Sequence, residues 1–324
     1  MTTRAWLDAT DPGRYLQVTP KGKFGVDWLP CGNVTASAQK NVSLTRRTWL
    51  SAATALVPPA LGHGASPRVL RFGLTPVFLD ERLRLLQQWR LYLEARLGSS
   101  VEFVQRGTYA QVMDTLRNGQ AHFAWICGYP YVLRQRELQL VAVPQWRGQP
   151  LYQSYLIADS LSRVSVWSDL RGRTFAYSDP LSNSGFLYMQ HLLRANRQDP
   201  ARFFGRSFFT HSHRHVVEAV AEGLADAGSV DGYVWETLAE LHPELTGRTR
   251  VLQKSADFGF PPVVAAAGVD ADEARAFAKA LFDMPQYSSG RAVLAELRLD
   301  RFVPGDAGLF RGIAEMARGQ APAA

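Results

Sequence analysis

Small polar residues from Ser182 to Gly185 form a compact set of hydrogen-bond donors. A short strand is predicted before them at Thr174–Tyr177, and Phe186, Met189 and Leu193 after them fall on one face of a helix. Hydroxyl, amide and first-turn N–H groups would then converge at the positive end of the helix dipole. That arrangement suits a small oxyanion. An ordinary helix cap is the alternative interpretation of the same residues.

The two serines of this run, Ser182 and Ser184, also raise the question of nucleophilic catalysis. A serine nucleophile needs a base held against its hydroxyl. The G-x-S-x-G pattern is absent, and no spacing of Ser, His and Asp indicates a hydrolase. We therefore expect a binding protein with no catalytic residues, and treat an enzyme on the same fold as the less favoured alternative.

Three histidines, His211, His213 and His215, alternate in a way that would place them on one face of a strand. A metal site would need further carboxylate or thiolate ligands, and Arg214 stands among the histidines instead. We expect neither a metal nor a cofactor. His213 is interpreted as a donor to the anion, with a solvated surface as the alternative.

Composition is typical of a globular protein: 324 residues with 46% hydrophobic and 20% charged content, enough for two lobes. The formal charge of +7 comes from scattered basic residues, so it does not indicate a nucleic-acid partner. Two cysteines, Cys31 and Cys127, are too few for a disulfide framework, and Cys127 is interpreted as a small buried hydrophobe. No apolar stretch approaches the roughly 20 residues of a membrane span.

Residues 42–65 have the order of an export signal. Arg46 and Arg47 stand in a segment that resembles the twin-arginine motif, followed by an apolar stretch to Leu61 and by small residues. Residues 1–41 have no hydrophobic periodicity. We expect them to be an unstructured leader translated from a misassigned start codon, with the true start near Val42. The sequence therefore predicts a periplasmic or extracytoplasmic protein exported by a twin-arginine-type signal.

The remaining chain alternates strands and helices twice. Strand patterns at 69–74, 101–105 and 122–126 alternate with helical patterns, and a second alternation begins at 151–158 and 174–177. Ligands in open parallel sheets sit beyond the carboxyl ends of the strands. The predicted loops at those ends contain Thr75, Tyr109, residues 127–131 with Tyr129, residues 182–185, His213, and residues 231–233 with Asp231 and Tyr233. Loops from two sheets that face each other predict a ligand cleft between hinged lobes.

Several motifs resemble the phosphate/phosphite/phosphonate-binding proteins of ABC importers, in the periplasmic binding protein superfamily. The resemblance covers about residues 69–318 and is carried by Asp169-Leu170-Arg171-Gly172, by Ser178-Asp179-Pro180-Leu181-Ser182-Asn183-Ser184-Gly185, and by Gly223-Leu224-Ala225-Asp226. It implies an α/β fold of the two-lobed, type II-like class, with two mixed, mostly parallel sheets and a hinge. We place lobe 1 at 67–155 plus 255–324 and lobe 2 at 156–254.

The resemblance also implies roles for individual residues. In that family the Ser-x-Ser turn holds phosphonate oxygens, which implies that Ser182, Asn183 and Ser184 bind the anion at the helix mouth with Gly185. A family histidine falls at His213. A cleft tyrosine of the first lobe corresponds to Tyr109, and Tyr129 lies where the family places another aromatic residue.

Ligand size is suggested by one departure from the family. Binders of aminoalkylphosphonates use acidic residues in loops that correspond to Tyr233 and to about Phe260, and both are aromatic here. A buried ammonium group would lack a partner, which favours a smaller ligand or one with an uncharged tail. Asp231 is interpreted as an acceptor for a protonated oxygen of the anion.

Taken together, these residues predict an exported solute-binding protein that captures phosphate, phosphite or a phosphonate between its lobes. The expected partners are the small oxyanion and a membrane ABC permease, with the protein itself a monomer. The alternative is a periplasmic sensing module that signals to a membrane histidine kinase or another regulator.

Overall fold

The structure, a computed structural model, describes residues 69–76 and 83–320. All of them belong to a single unit, residues 63–324. The leader and export signal predicted within residues 1–65 lie outside the described residues. Within the described ranges, no helix has the length and apolar character needed to cross a bilayer.

Strands and helices alternate through most of the described chain. The strands are β1 Val69–Leu74, β2 Ser100–Gln105, β3 Phe123–Trp125, β4 Leu138–Gln145, β5 Leu151–Tyr152, β6 Ser154–Asp159, β7 Thr174–Tyr177, β8 Arg206–Phe209, β9 Ala227–Asp231, β10 Thr249–Lys254, β11 Phe258–Gly259, β12 Val263–Ala266 and β13 Arg301–Val303. The helices are α1 Leu83–Leu97, α2 Tyr109–Arg117, α3 Gly128–Leu133, α4 Tyr188–Ala195, α5 Pro200–Phe203, α6 His213–Ala221, α7 Gly232–Leu241, α8 Pro243–Thr246, α9 Ala271–Phe282, α10 Ser288–Leu297 and α11 Arg311–Arg318.

The first sheet contains six described strands in the order β13-β4-β12-β3-β1-β2. β1 pairs in parallel with β2 and β3, as the first alternation predicted, while β12 runs antiparallel to β3 and β4. Its core is strongly aromatic. Phe72 meets Trp89 edge-on with ring centroids 5.4 Å apart, and Phe123 stacks on Phe277 at 4.0 Å.

The second sheet contains five described strands in the order β10-β6-β9-β7-β8. β7 pairs in parallel with β8 and β9, while β6 runs antiparallel to β9 and β10. Both sheets are therefore mixed, which confirms the predicted fold class, although parallel pairings do not predominate in either sheet. Phe175 and Leu193 lie fully buried in a separate cluster behind this sheet.

A two-stranded ribbon lies where the described chain passes between the sheets. The strand predicted at 151–158 is interrupted at Gln153, which separates β5 from β6. β5 pairs antiparallel with β11, with Tyr152 opposite Phe258. One ribbon strand thus leads from β4 to β6, and the other leads from β10 to β12.

Some local predictions were wrong. β4 was not predicted. Residues 127–131 were predicted as a loop, but α3 begins at Gly128, and Pro130 in its first turn loses no helical hydrogen bond. Residues 232 and 233 likewise begin α7 because the Asp231 side chain accepts from the N–H groups of Tyr233 and Val234. His213 is the first residue of α6 and does not lie in a loop.

Candidate functional site

The turn from Ser182 to Gly185 enters its helix through a π-helical segment, Asn183–Leu187. The N–H of Leu187 donates to the carbonyl of Ser182 at 3.0 Å, and the Ser182 hydroxyl accepts from the N–H of Gly185 at 2.9 Å. Single π-helical turns widen a helix and are frequent at functional sites. The predicted α-helix therefore begins only at Tyr188.

Several polar side-chain atoms of this turn are buried without a partner. Ser178 Oγ, Asn183 Oδ1 and Ser184 Oγ have no hydrogen bond within the described part of the chain. Ser184 is 0% exposed, and its carbonyl is held by the hydroxyls of Ser154 and Ser229 at 2.7 and 2.8 Å. An unsatisfied buried group costs about 1–3 kcal/mol, so a ligand that bonded to these atoms would recover that energy.

Glycine at 185 is required by close packing. A Cβ there would lie 2.7 Å from the Cβ of Ser178 and even closer to its Oγ, and 3.0 Å from Ser182 Oγ. Those neighbours belong to the turn itself, so any larger residue would displace it.

Beside this turn lies an enclosed cavity between the two sheets. It offers about 20 Å³ to the centre of a water molecule, where a single water needs roughly 10–15 Å³. In this conformation the cavity thus has room for about one water molecule, and a larger guest requires its walls to move apart. Its wall is formed by Leu74, Thr75, Tyr109, Trp125, Cys127, His213, Asp231, Tyr233, Phe260 and Pro261.

His213 contributes a hydrogen-bond donor to this wall. Its Nδ1 accepts from the backbone N–H of Asp231 at 3.1 Å, which places the ring proton on Nε2. Burial lowers the pKa of His213 to about 3. The side chain is therefore neutral near pH 7, and its Nε2–H group can donate.

Asp231 contributes a carboxyl group that favours protonation. Burial raises its pKa to about 7, against the opposing effect of the N–H groups of Val234 and Tyr233. Both N–H groups donate to Oδ1, at 3.4 and 2.9 Å. At neutral pH this carboxyl therefore exchanges a proton readily.

Two buried tyrosines link the cavity to the turn. Burial raises the pKa of Tyr109 well above 10.0, and its hydroxyl lies beside that of Ser182. Tyr152 accepts from Asn183 Nδ2 at 2.9 Å, and its hydroxyl is a neighbour of Ser184 without a hydrogen bond of normal geometry. Tyr152 was missed from the sequence, where it is only an aromatic residue in a strand pattern.

Cys127 also joins the two sides. Its Sγ lines the cavity and accepts from the backbone N–H of Asn183 at 3.3 Å. Burial raises the pKa of the thiol to about 11. Its sequence interpretation as a small buried residue omitted this hydrogen bond.

The ten predicted site residues fall into three groups. Thr75, Tyr109, His213, Asp231 and Tyr233 line the cavity. Residues 182–185 lie next to it and contact Tyr109, Tyr152 and Cys127, while Tyr129 is buried at the start of α3 outside the wall. The hydroxyl of Tyr233 points away from the cavity and donates to the carbonyl of Leu297.

The three neighbouring histidines do not converge. His213 is buried, whereas the side chain of His211 is 45% exposed beside Asp179 and that of His215 is 59% exposed near Glu218. Across residues 69–76 and 83–320, no three His, Cys, Asp or Glu side chains are grouped as a metal site requires.

Comparison with known proteins identifies the family of this chain. The model of one family, described as "ABC transporter, phosphonate, periplasmic substrate-binding protein", matches residues 72–309. The chain belongs to this family. Its members are periplasmic substrate-binding proteins of ABC transporters, which implies a small ligand and a membrane permease as partners.

Individual relatives in this phosphonate-binding family are distant in sequence. The chain is 28% identical over 177 residues to the phosphate-import protein PhnD of Mycolicibacterium smegmatis, a match that spans 50% of this chain and 55% of the relative. It is 21% identical over 276 residues to a probable phosphite-binding protein, PhnD1, of Prochlorococcus marinus, covering 78% and 90% of the two chains. The solved structure of PhnD1 with methylphosphonate superposes with a TM-score of 0.70 at 18% identity, covering 78% of this chain and 98% of that one.

Proposed function

We propose that this substrate-binding protein captures a small, singly protonated phosphorus oxyanion and delivers it to a membrane permease. The observation that carries the proposal is the pairing of His213 and Asp231 in one cavity wall. The first supplies a neutral Nε2–H donor, and the second a carboxyl group with a pKa of about 7. A guest with both an acceptor oxygen and an acidic P–OH proton satisfies both groups.

Asp231 gives the site a means of rejecting sulfate. Phosphate, phosphite and phosphonates have an acid dissociation close to neutral pH. A form that carries a P–OH proton is therefore available there and can share that proton with the carboxyl oxygen. Sulfate carries no proton, so whenever Asp231 is ionised it would bring its full negative charge against a buried carboxylate. Sites built to hydrogen-bond a substrate proton discriminate strongly against analogues that lack it.

The apolar part of the cavity wall favours a small uncharged substituent on the phosphorus atom. Leu74, Trp125, Phe260 and Pro261 present apolar surface there. Phosphite has only a P–H group at this position, and methylphosphonate only a methyl group. An ammonium tail would lose its hydration without gaining a carboxylate partner other than Asp231.

We further propose that the ligand is held between two lobes, residues 67–155 plus 255–324 and residues 156–254. In support, Thr75 and Tyr109 follow strands of the six-stranded sheet. In the five-stranded sheet, His213 follows β8 and Asp231 is the last residue of β9. The β5–β11 ribbon would be the hinge, because both of its strands connect the sheets. Closure would remove water from the anion and strengthen each hydrogen bond to it.

Isothermal titration of the purified protein tests the ligand class. Phosphite, methylphosphonate, phosphate, 2-aminoethylphosphonate and sulfate would be titrated near pH 7. We expect at least one of the first three to bind, and sulfate and 2-aminoethylphosphonate to bind at least about tenfold more weakly. Preference for either of the last two would contradict the proposal. Recovery of the ligand unchanged, followed by phosphorus NMR, checks that binding occurs without chemistry.

Export through the twin-arginine signal is a separate proposal. It is supported by family membership and by Arg46 and Arg47 before an apolar stretch. Replacing both arginines by lysine should leave the precursor in the cytoplasm, as seen by cell fractionation. Unchanged export of the double variant would rule out this signal.

A further inference from the structure

Asp179 forms a hydrogen bond between parts of the chain that belong to different sheets. It lies in the loop after β7 and is 1% exposed. Its Oδ2 accepts from the backbone N–H of Tyr109 at 3.1 Å, and its Oδ1 accepts from the N–H of Leu181 at 2.8 Å. The first bond reaches the six-stranded sheet, and the second stays within its own loop.

Tyr109, the partner of this carboxylate on the side of the six-stranded sheet, is the first residue of helix α2. First-turn N–H groups have no acceptor within their helix, and the helix dipole makes that end attractive to negative charge. The hydroxyl of Thr108 accepts from the N–H of Gln111, but the N–H of Tyr109 is left to Asp179. α2 is thus capped partly by its own chain neighbour and partly by a loop of the other sheet.

Both ends of this bond lead directly to the ligand site. The side chain of Tyr109 lines the cavity, and the loop of Asp179 runs straight into the turn that begins at Ser182. Asp179 itself is not part of the cavity wall. Its effect on a ligand would therefore come through the position of these neighbours.

We propose that Asp179 is a closure latch: a positioning residue that holds the two lobes together around the ligand without touching it. This rests on the two-lobed binding function proposed above. Opening the cleft separates Asp179 from Tyr109 and leaves a carboxylate and a helix N-terminus to be hydrated. Closing it restores a charge-assisted bond that slows release of the ligand.

The test compares Asp179→Asn and Asp179→Ala with the wild-type protein, using sodium phosphite as the probe. Stopped-flow measurements give the association and dissociation rates, and small-angle X-ray scattering gives the radius of gyration with and without phosphite. We expect Asp179→Ala to release phosphite roughly tenfold faster or more, with little change in association. Asp179→Asn keeps an acceptor oxygen, so the increase in its phosphite dissociation rate should be smaller. Both variants should have a larger radius of gyration than wild type.

Asp226→Asn is the matched control. Asp226 also accepts a backbone N–H, that of Thr174 at 2.9 Å, but both residues belong to the same sheet region. The Asp226→Asn substitution should lower the melting temperature and leave the phosphite dissociation rate and the radius of gyration unchanged.

Equal phosphite dissociation rates and equal radii of gyration in wild type and Asp179→Ala would overturn the latch, even if phosphite binds well. If the wild-type protein binds no phosphite, phosphite is not its ligand, and this result counts against the proposed function, not against the latch. The radii measured without ligand then decide the latch alone: expansion supports it, and equality overturns it.

Discussion

Nδ1 of His213 accepts the backbone N–H of Asp231 over 3.1 Å. This bond joins the start of α6 to the end of β9 and fixes the orientation of the His213 ring in the cavity. Burial moves the pKa of the two residues in opposite ways, to about 3 for His213 and to about 7 for Asp231. Between about pH 4 and pH 6.5, where an exposed aspartate and histidine would both be ionised, both side chains therefore tend to be uncharged.

Asp231→Asn should change how stability depends on pH. The folded protein holds the Asp231 proton with a pKa of about 7, against an ordinary 3.8. Its contribution to stability is present below about pH 4 and is lost as the pH rises to about 7. His213 has the opposite pH dependence. Its contribution to the stability of the folded protein is lost as the pH falls from about 6.5 to about 3. Relative to wild type, Asp231→Asn should gain stability, on the order of a few kcal/mol, between about pH 4.5 and pH 7.5.

Urea unfolding at several pH values across this range measures the difference. Asp270→Asn is a suitable control, since Asp270 caps an exposed helix end through the N–H groups of residues 272 and 273. Free energies of unfolding for Asp231→Asn and wild type that run parallel with pH would show that the Asp231 carboxyl is not perturbed.

Ser184→Ala should separate binding from stability. Its hydroxyl is buried and has no partner within the described chain, so removing it should change the free energy of unfolding by less than about 1 kcal/mol. Ligand affinity should fall roughly tenfold or more, because a hydrogen bond to a charged group is lost. Calorimetry and thermal melting measure the two effects. In the companion variant Ser154→Ala, loss of the 2.7 Å bond to the Ser184 carbonyl should lower stability. An unaffected affinity in Ser184→Ala would exclude this hydroxyl from the site.

Gly185→Ala should disrupt the turn. The added methyl group would meet Ser178 at the distances described above, so Ser178 or the turn would have to shift. We expect a loss of stability of about 1–3 kcal/mol together with weakened ligand binding. Gly268→Ala serves as control because the space around its Cβ position is open. Thermal melts and titrations of both variants would be compared; similar behaviour of the two would refute the packing argument.

Cys127 should react with thiol reagents only when the cleft opens. Burial raises the pKa of its thiol to about 11, so little thiolate exists near pH 8. In a Cys31→Ser background, reaction with a coloured disulfide reagent should be slow, and a bound ligand should slow it several-fold further. Reaction at the rate of a free thiol, with or without ligand, would show that Cys127 is exposed.

Much of the fold was predictable because the spacing of apolar residues along the chain indicates its strands and helices. β1, β2 and β3 alternate with helices whose apolar stripes are clear, and their parallel pairing follows from that order. β4 and the ribbon were not found from the sequence. Their pairing depends on segments more than a hundred residues away, such as Tyr152 opposite Phe258.

The placement of the candidate site residues was predictable in part. Ser184, His213 and Asp231 were singled out because their residue types suit anion binding at the ends of strands. The structure places His213 and Asp231 in one cavity wall, and their role in binding stays a prediction. Tyr152 and Cys127 were not, since a buried aromatic residue or thiol looks like core until its polar atom is seen to meet Asn183. Tyr129 could not be separated from its neighbours because the unpredicted helix α3 decides which way each side chain faces.

The β5–β11 ribbon has a mechanical consequence. Tyr152 sits within it, and its stiff aromatic ring ends in the oxygen that accepts from Asn183. If the ribbon is the hinge proposed above, twisting its two strands would move the Tyr152 ring and, through it, Asn183 beside the ligand. Opening of the lobes and weakening of the contacts to the ligand would then occur together.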